Sequence, residues 1–97
     1  MNGPEKYVLR LYVTGMTPRS RKAIEVVRAV CREHLADRHE LEIVDVYQQP
    51  ARISEDDIVA IPTLVKYSPA PLRRLIGDMS NRERLLWGLG LQDPGHA

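Results

Sequence analysis

The chain contains no phenylalanine, a single cysteine and only five aromatic residues among 97. One cysteine excludes an internal disulfide and any multi-cysteine zinc site, and suits a reducing compartment. Apolar runs are only a few residues long, far short of the roughly 20 needed to span a bilayer. The segment Met1–Lys6 is polar and lacks the apolar stretch of a secretory signal. A cytoplasmic location is therefore expected. No glycine-rich phosphate-binding loop is present, so nucleotide binding by the chain itself is not expected. Charge of one sign is also lacking: 14 basic and 13 acidic residues leave +1. A near-neutral chain gains little from nucleic acid or a membrane surface.

What is present suffices for one small domain spanning 1–97, with 1–6 and 92–97 as tails. Leu, Ile and Val make up 26 residues, above the level of roughly one fifth below which chains tend to disorder. Eleven of the 14 cations are arginine, the residue suited to bidentate pairing at protein interfaces. Charges segregate: seven cations against three anions over 10–38, then six anions against one cation over 40–57. The segregation fits either solvated faces or two electrostatic faces for different partners.

Tyr7–Val13 is almost wholly apolar and rich in β-branched and aromatic residues, as expected of a central strand covered on both faces. Thr17 and Pro18 open a helix as N-cap and first helical residue. Ile24, Val27, Cys31 and Leu35 then form its apolar stripe. Leu41–Tyr47 reads as a second strand, parallel to the first because a helix connects them. A brief acidic helix is expected over Ala51–Val59, with Asp56 and Asp57 solvated. Ile61–Tyr67 and Leu72–Ile76 read as an antiparallel pair joined by the turn Ser68-Pro69-Ala70-Pro71. Ser80 and Glu83 form a capping box for a last helix ending near Leu89. Gly88 and Gly90 weaken that helix by up to about 1 kcal/mol each, so Gly88→Ala is expected to favour it. The resulting order is βαβαββα in the α/β class, a thioredoxin-like topology.

A thioredoxin-like fold places its redox cysteines in the loop after the first strand. Here that loop, 14–20, has no thiol, and Cys31 falls on the buried stripe. Dithiol exchange is excluded. A glutathione-binding enzyme using Thr14, Thr17 or Ser20, with Asp78 and Ser80 on the ligand, is a weak alternative, because the chain has no room for a second domain. His34 and His39 lie five apart and miss the spacing for shared metal ligation. No catalytic residue, metal or cofactor is expected.

Several segments together resemble the KaiB family: Tyr7–Gly15, Thr17-Pro18, Leu41–Val46, Ile61–Leu64, Pro71–Asp78 and Ser80–Glu83. The resemblance implies a non-enzymatic regulator that binds a KaiC-like ATPase and modulates its cycle, in circadian timing or stress adaptation. It also implies a second packing of the same chain, βαββααβ, in a homo-oligomeric ground state, dimer or tetramer. On this basis Lys22, Lys66, Arg73 and Arg74 are partner contacts, while Pro62, Pro71, Gly88 and Gly90 mark the region that changes fold. Glu40, Glu42, Asp57 and Gly90 depart from the pattern of cyanobacterial members, which argues against a KaiA-type activator as partner. The alternative is a thioredoxin-like adaptor for a histidine kinase or another protein.

Overall fold

Tyr7–Val13 forms β1, the strand about which the domain is organised. The computed structural model describes residues 6–15, 17–77 and 79–91. Asp78 and the tails beyond Lys6 and Leu91 lie outside the described residues. After β1 come α1 (Pro18–His34), β2 (His39–Asp45), a 3₁₀ segment (Pro50–Glu55), β3 (Thr63–Ser68), β4 (Arg73–Ile76) and α2 (Arg82–Gly88). The sheet order is β2-β1-β3-β4. β1 pairs in parallel with β2 and antiparallel with β3, and β3 is antiparallel to β4. This is the thioredoxin-like arrangement expected; the alternative packing is not the one seen.

Alternation along β1 builds two cores. Leu9, Leu11 and Val13 face α1 and α2, where Val27, Val30, Leu35, Leu85 and Leu89 complete the main cluster. Tyr12 faces the other way, onto Val44, Val46 and Val65 beneath Ile53 and Ile58. Both sides of β1 are thus covered, which explains its largely apolar character. Fully burying one such leucine contributes about 1.5–3 kcal/mol.

Local chemistry sets the helix ends. The Thr17 hydroxyl accepts from the Ser20 N–H at 3.2 Å, with Pro18 in the first turn. At α2 the N-cap is Asn81 rather than Ser80: its Oδ1 accepts from the Arg84 N–H at 3.1 Å. Asn is at least as good a cap as Ser, so the helix begins one residue later than the capping box indicates. The acidic helix over 51–59 is also shorter than expected, a 3₁₀ segment starting at Pro50. β2 begins at His39 and ends at Asp45.

The two glycines of the C-terminal segment are not simple helix-breakers. Gly90 has φ +77° and lies past the end of α2. Its N–H reaches Trp87 O (2.9 Å) and the Leu91 N–H reaches Leu86 O (2.8 Å), the paired bonds of a Schellman cap, a position that favours glycine. Gly88 is buried, and a Cβ there would come within 2.3 and 2.8 Å of the two terminal carbons of Leu75. The helix rests on β4 at this point because it has no side chain. The propensity gain of Gly88→Ala, about 1 kcal/mol, is therefore set against the cost of moving the Leu75 methyl groups aside.

Gly88→Ala is expected to raise unfolding stability by less than the propensity gain of about 1 kcal/mol, read by urea titration. The gain should be larger in a Leu75→Ala background. An equal change in both backgrounds would rule out the Leu75 contact as its cause.

Candidate partner-binding face

The loop after β1, where thioredoxin-like chemistry would sit, is closed on itself. The Thr14 N–H donates to Ser20 Oγ at 2.9 Å, and the Thr14 and Ser20 hydroxyls lie 3.3 Å apart. Ser20 is buried, so these hydroxyls serve the turn and the helix start. Cys31 is 1% exposed, and burial pushes its thiol up to about 11. A thiol so protonated is a poor nucleophile, as its place on the apolar stripe implied.

The cations singled out from the sequence separate into two kinds. Lys22 is exposed on α1 and, with Arg19, Pro18, Pro62 and Met79, lines an open cavity of about 220 Å³. Arg73 and Arg74 are exposed on β4. Arg74 lines a second cavity, of about 120 Å³, with Ile76, Met79, Arg84 and Leu85 among its walls. Met79 borders both cavities, so the Lys22 cavity adjoins the one beside β4, while the Arg74 guanidinium turns to the other face of the sheet. Lys66 does not join them. It is 4% exposed, and its Nζ donates to Pro69 O at 2.8 Å. Its place in β3 turns it inward, where it holds the turn before β4.

Pro62 is buried beside the Lys22 cavity and Pro71 is exposed at the start of β4. The Ile61-Pro62, Ser68-Pro69 and Ala70-Pro71 bonds are all cis. The isomer of the first is not legible in the sequence, because cis and trans differ by only about 0.5–1 kcal/mol before proline. Gly88 and Gly90 lie at the α2–β4 contact and the α2 cap described above.

Sequence reasoning missed the polar knot on the opposite face of the sheet. Asp56, expected to be solvated, is 7% exposed. It accepts from Tyr12 Oη at 2.6 Å, from Tyr67 Oη, and from Arg10 Nη1 at 3.2 Å. Arg10 also pairs with Glu42 and Glu55, each at 2.9 Å, and Arg52 pairs with the same two glutamates, each at 3.0 Å. Arg10 lies over the Tyr67 ring, 5.3 Å from its centroid. Arg74 Nε donates to the Asp56 carbonyl at 3.1 Å. Burial alone would push the Asp56 carboxyl up. The hydrogen bonds from Tyr12 and Tyr67 and the charge of Arg10 outweigh it and hold the group below the usual aspartate range. Tyr67 shifts the other way, raised by burial and by its bond to Asp56. The available signal was Arg10 and Tyr12 inside an otherwise apolar central strand, since buried polar groups need partners.

Asp56→Asn is expected to cost about 2 kcal/mol at neutral pH, because it removes the charge from a site built of donors. A lowered folded pKa means that the Asp56 contribution is present above the unfolded value of about 3.9 and is lost as pH falls through the folded value. The stability gap between wild type and variant should therefore narrow below about pH 3.9. A gap independent of pH in urea titrations would contradict the charged role of Asp56.

The KaiB domain family model matches residues 10–91. A circadian clock protein KaiB3 of Synechocystis is 48% identical over 90 residues, covering 93% of this chain and 88% of the relative. A circadian clock oscillator protein KaiB of Synechococcus is 44% identical, covering 94% and 83%. Among solved structures, the N-terminal domain of SasA from Synechococcus elongatus aligns over 99% of this chain and 94% of its own, with TM-score 0.70 and 23% identity. The thioredoxin-like Trxlp of Edwardsiella tarda aligns over 87% and 82%, with TM-score 0.74 and 18% identity. The two structures share the fold, and the family match with its close relatives shows that this chain belongs to the KaiB family.

Proposed function

We propose that this chain is a non-enzymatic regulator that docks on a KaiC-like ring ATPase in its thioredoxin-like form and modulates the phosphorylation and ATPase cycle of that ring. The observation that carries the reading is a pair of adjoining cavities that share Met79, with exposed Lys22 at one and β4 along the other, in a chain whose relatives are circadian clock proteins. Exposed arginine and lysine around an apolar centre suit an acidic patch on a partner. Arg73 adds to that rim. The thiol-free loop after β1 supports recognition over redox chemistry. No helix among the described residues is long and apolar enough to cross a membrane, in keeping with action in the cytoplasm.

A second, oligomeric packing of the 61–91 half, involving Pro62, Pro71, Gly88 and Gly90, belongs to the same proposal. If only the thioredoxin-like form docks, the ring draws the population toward it, and apparent affinity falls by the competent fraction. A role in daily timing or in stress adaptation follows from which ring it meets.

Pull-down and size exclusion with a KaiC-like ATPase, in phosphorylated and unphosphorylated forms, should show association. Lys22→Glu and Arg73→Glu should each weaken it at least about tenfold, equivalent to about 1.4 kcal/mol, with unchanged circular dichroism. No association with either form would remove the reading. Capture of a histidine kinase alone would favour an adaptor role instead.

A further inference from the structure

β4 is the outermost strand on its side of the sheet. An edge strand carries unpaired backbone donors and acceptors along its free side. Which residues carry them follows from the ladder. The Gly77 N–H donates to Pro62 O at 3.2 Å, and the register pairs Ile76 with Thr63, Leu75 with Leu64, Arg74 with Val65 and Arg73 with Lys66. Hydrogen-bonded pairs alternate along an antiparallel ladder. Leu75 and Arg73 therefore bond inward like Gly77, and the N–H and C=O groups of Arg74 and Ile76 point outward.

Three further features converge on this edge. The 120 Å³ cavity is lined by three consecutive β4 residues, Arg74, Leu75 and Ile76, and so opens along the strand itself. Met79 and Leu85 supply apolar walls. The volume is close to that of an apolar cavity that admits benzene, about 150 Å³, enough for one aliphatic side chain. Leu72 and Ile76 are 48% and 47% exposed beside it. Arg74 and Arg84 are the charged residues that line the cavity, with no carboxylate among its described lining residues, and Arg73 is exposed on the same strand. Arg73 and Arg84 form no ion pair among the described residues.

We propose that the free edge of β4 is a strand-addition site for an extended segment of another protein, one that carries an aliphatic side chain flanked by carboxylates. The backbone of the segment would pair with Arg74 and Ile76, its aliphatic side chain would enter the cavity, and its carboxylates would meet Arg73 and Arg84. Main-chain bonds supply affinity in this mode, and the pocket and charges supply selectivity. A second copy of this chain is the wrong occupant. Two-fold pairing of β4 with itself sets Arg73 and Arg74 of one copy near those of the other, and like charges across strands destabilise. The same arginines that deter self-association admit an acidic strand. The inference goes beyond the ATPase reading and does not require that ring to be the partner.

The test is titration of the full-length ¹⁵N-labelled chain with a synthetic peptide, Asp-Glu-Val-Leu-Val-Glu-Asp, acetylated and amidated at its ends. The controls replace its leucine with glycine or its acids with lysines. Amide shifts are expected at Arg74 and Ile76 and around Met79 and Leu85, and neither control should bind as well. Ile76→Pro removes one outward N–H at a position where an edge strand tolerates proline, and should weaken binding at least about tenfold. Arg84→Glu, on an exposed helix position, should do the same and decides the matter if Ile76→Pro fails to fold. Shifts confined to β2, no binding at millimolar peptide, or equal binding by wild type and a folded variant would overturn the proposal. Peptide binding with no ATPase association would separate this inference from the preceding reading.

Discussion

The carboxylate of Asp56 ties together parts of the chain that share little else. Its donors come from β1 through Arg10 and Tyr12 and from β3 through Tyr67, while Arg74 of β4 holds its backbone carbonyl. The covering segment has no buried residue within its 3₁₀ turn, and Asp56 follows immediately. Apolar contacts from Ile53 and Ile58 help, but the segment is positioned chiefly by directed, charge-assisted hydrogen bonds. Such bonds are roughly twice as strong as neutral ones and demand geometry. In a domain of 97 residues, whose core is necessarily small, this knot closes the second face of the sheet without another helix.

With that face closed, the rest of the surface becomes interpretable. α1 and α2 cover the first face, and Gly88 lets α2 approach β4 closely. The loop after β1 has its hydroxyls engaged with its own backbone. What remains open is the side where α1, the Pro62 turn, β4 and α2 meet, with apolar side chains below and cations around them. Membership of the KaiB family and this geometry both fit the proposed regulatory role.

Much of the fold was legible because its signals are local or periodic. The Thr17-Pro18 start of α1, the stripe through Cys31, the apolar β1 and the hairpin around Ser68–Pro71 each announce themselves within a few residues. What escaped depends on contacts distant in sequence. Glu55-Asp56-Asp57 reads as a solvated acidic run, and only the pairing of β1 with β3 brings Tyr12 and Tyr67 onto Asp56. Lys66 looks like any strand cation until the turn at Pro69 folds back to receive it. Gly88 reads as a helix weakness because propensity says nothing about the Leu75 side chain above it. Gly90 could have been read as a cap, since glycine just past a helix end is a common stop. At the candidate face, Lys22 and Arg73 are proposed through family resemblance, whereas Arg84 and the cavity beside β4 needed the fold.

The central claim is that the chain meets its partner in the thioredoxin-like form. Backbone chemical shifts of segment 63–88, recorded on the labelled chain bound to a KaiC-like ring, test it most directly. The account requires extended shifts over 63–68 and 73–76 and helical shifts over 82–88 in the complex. Helical shifts across 63–76, with an extended segment around Trp87, would contradict it.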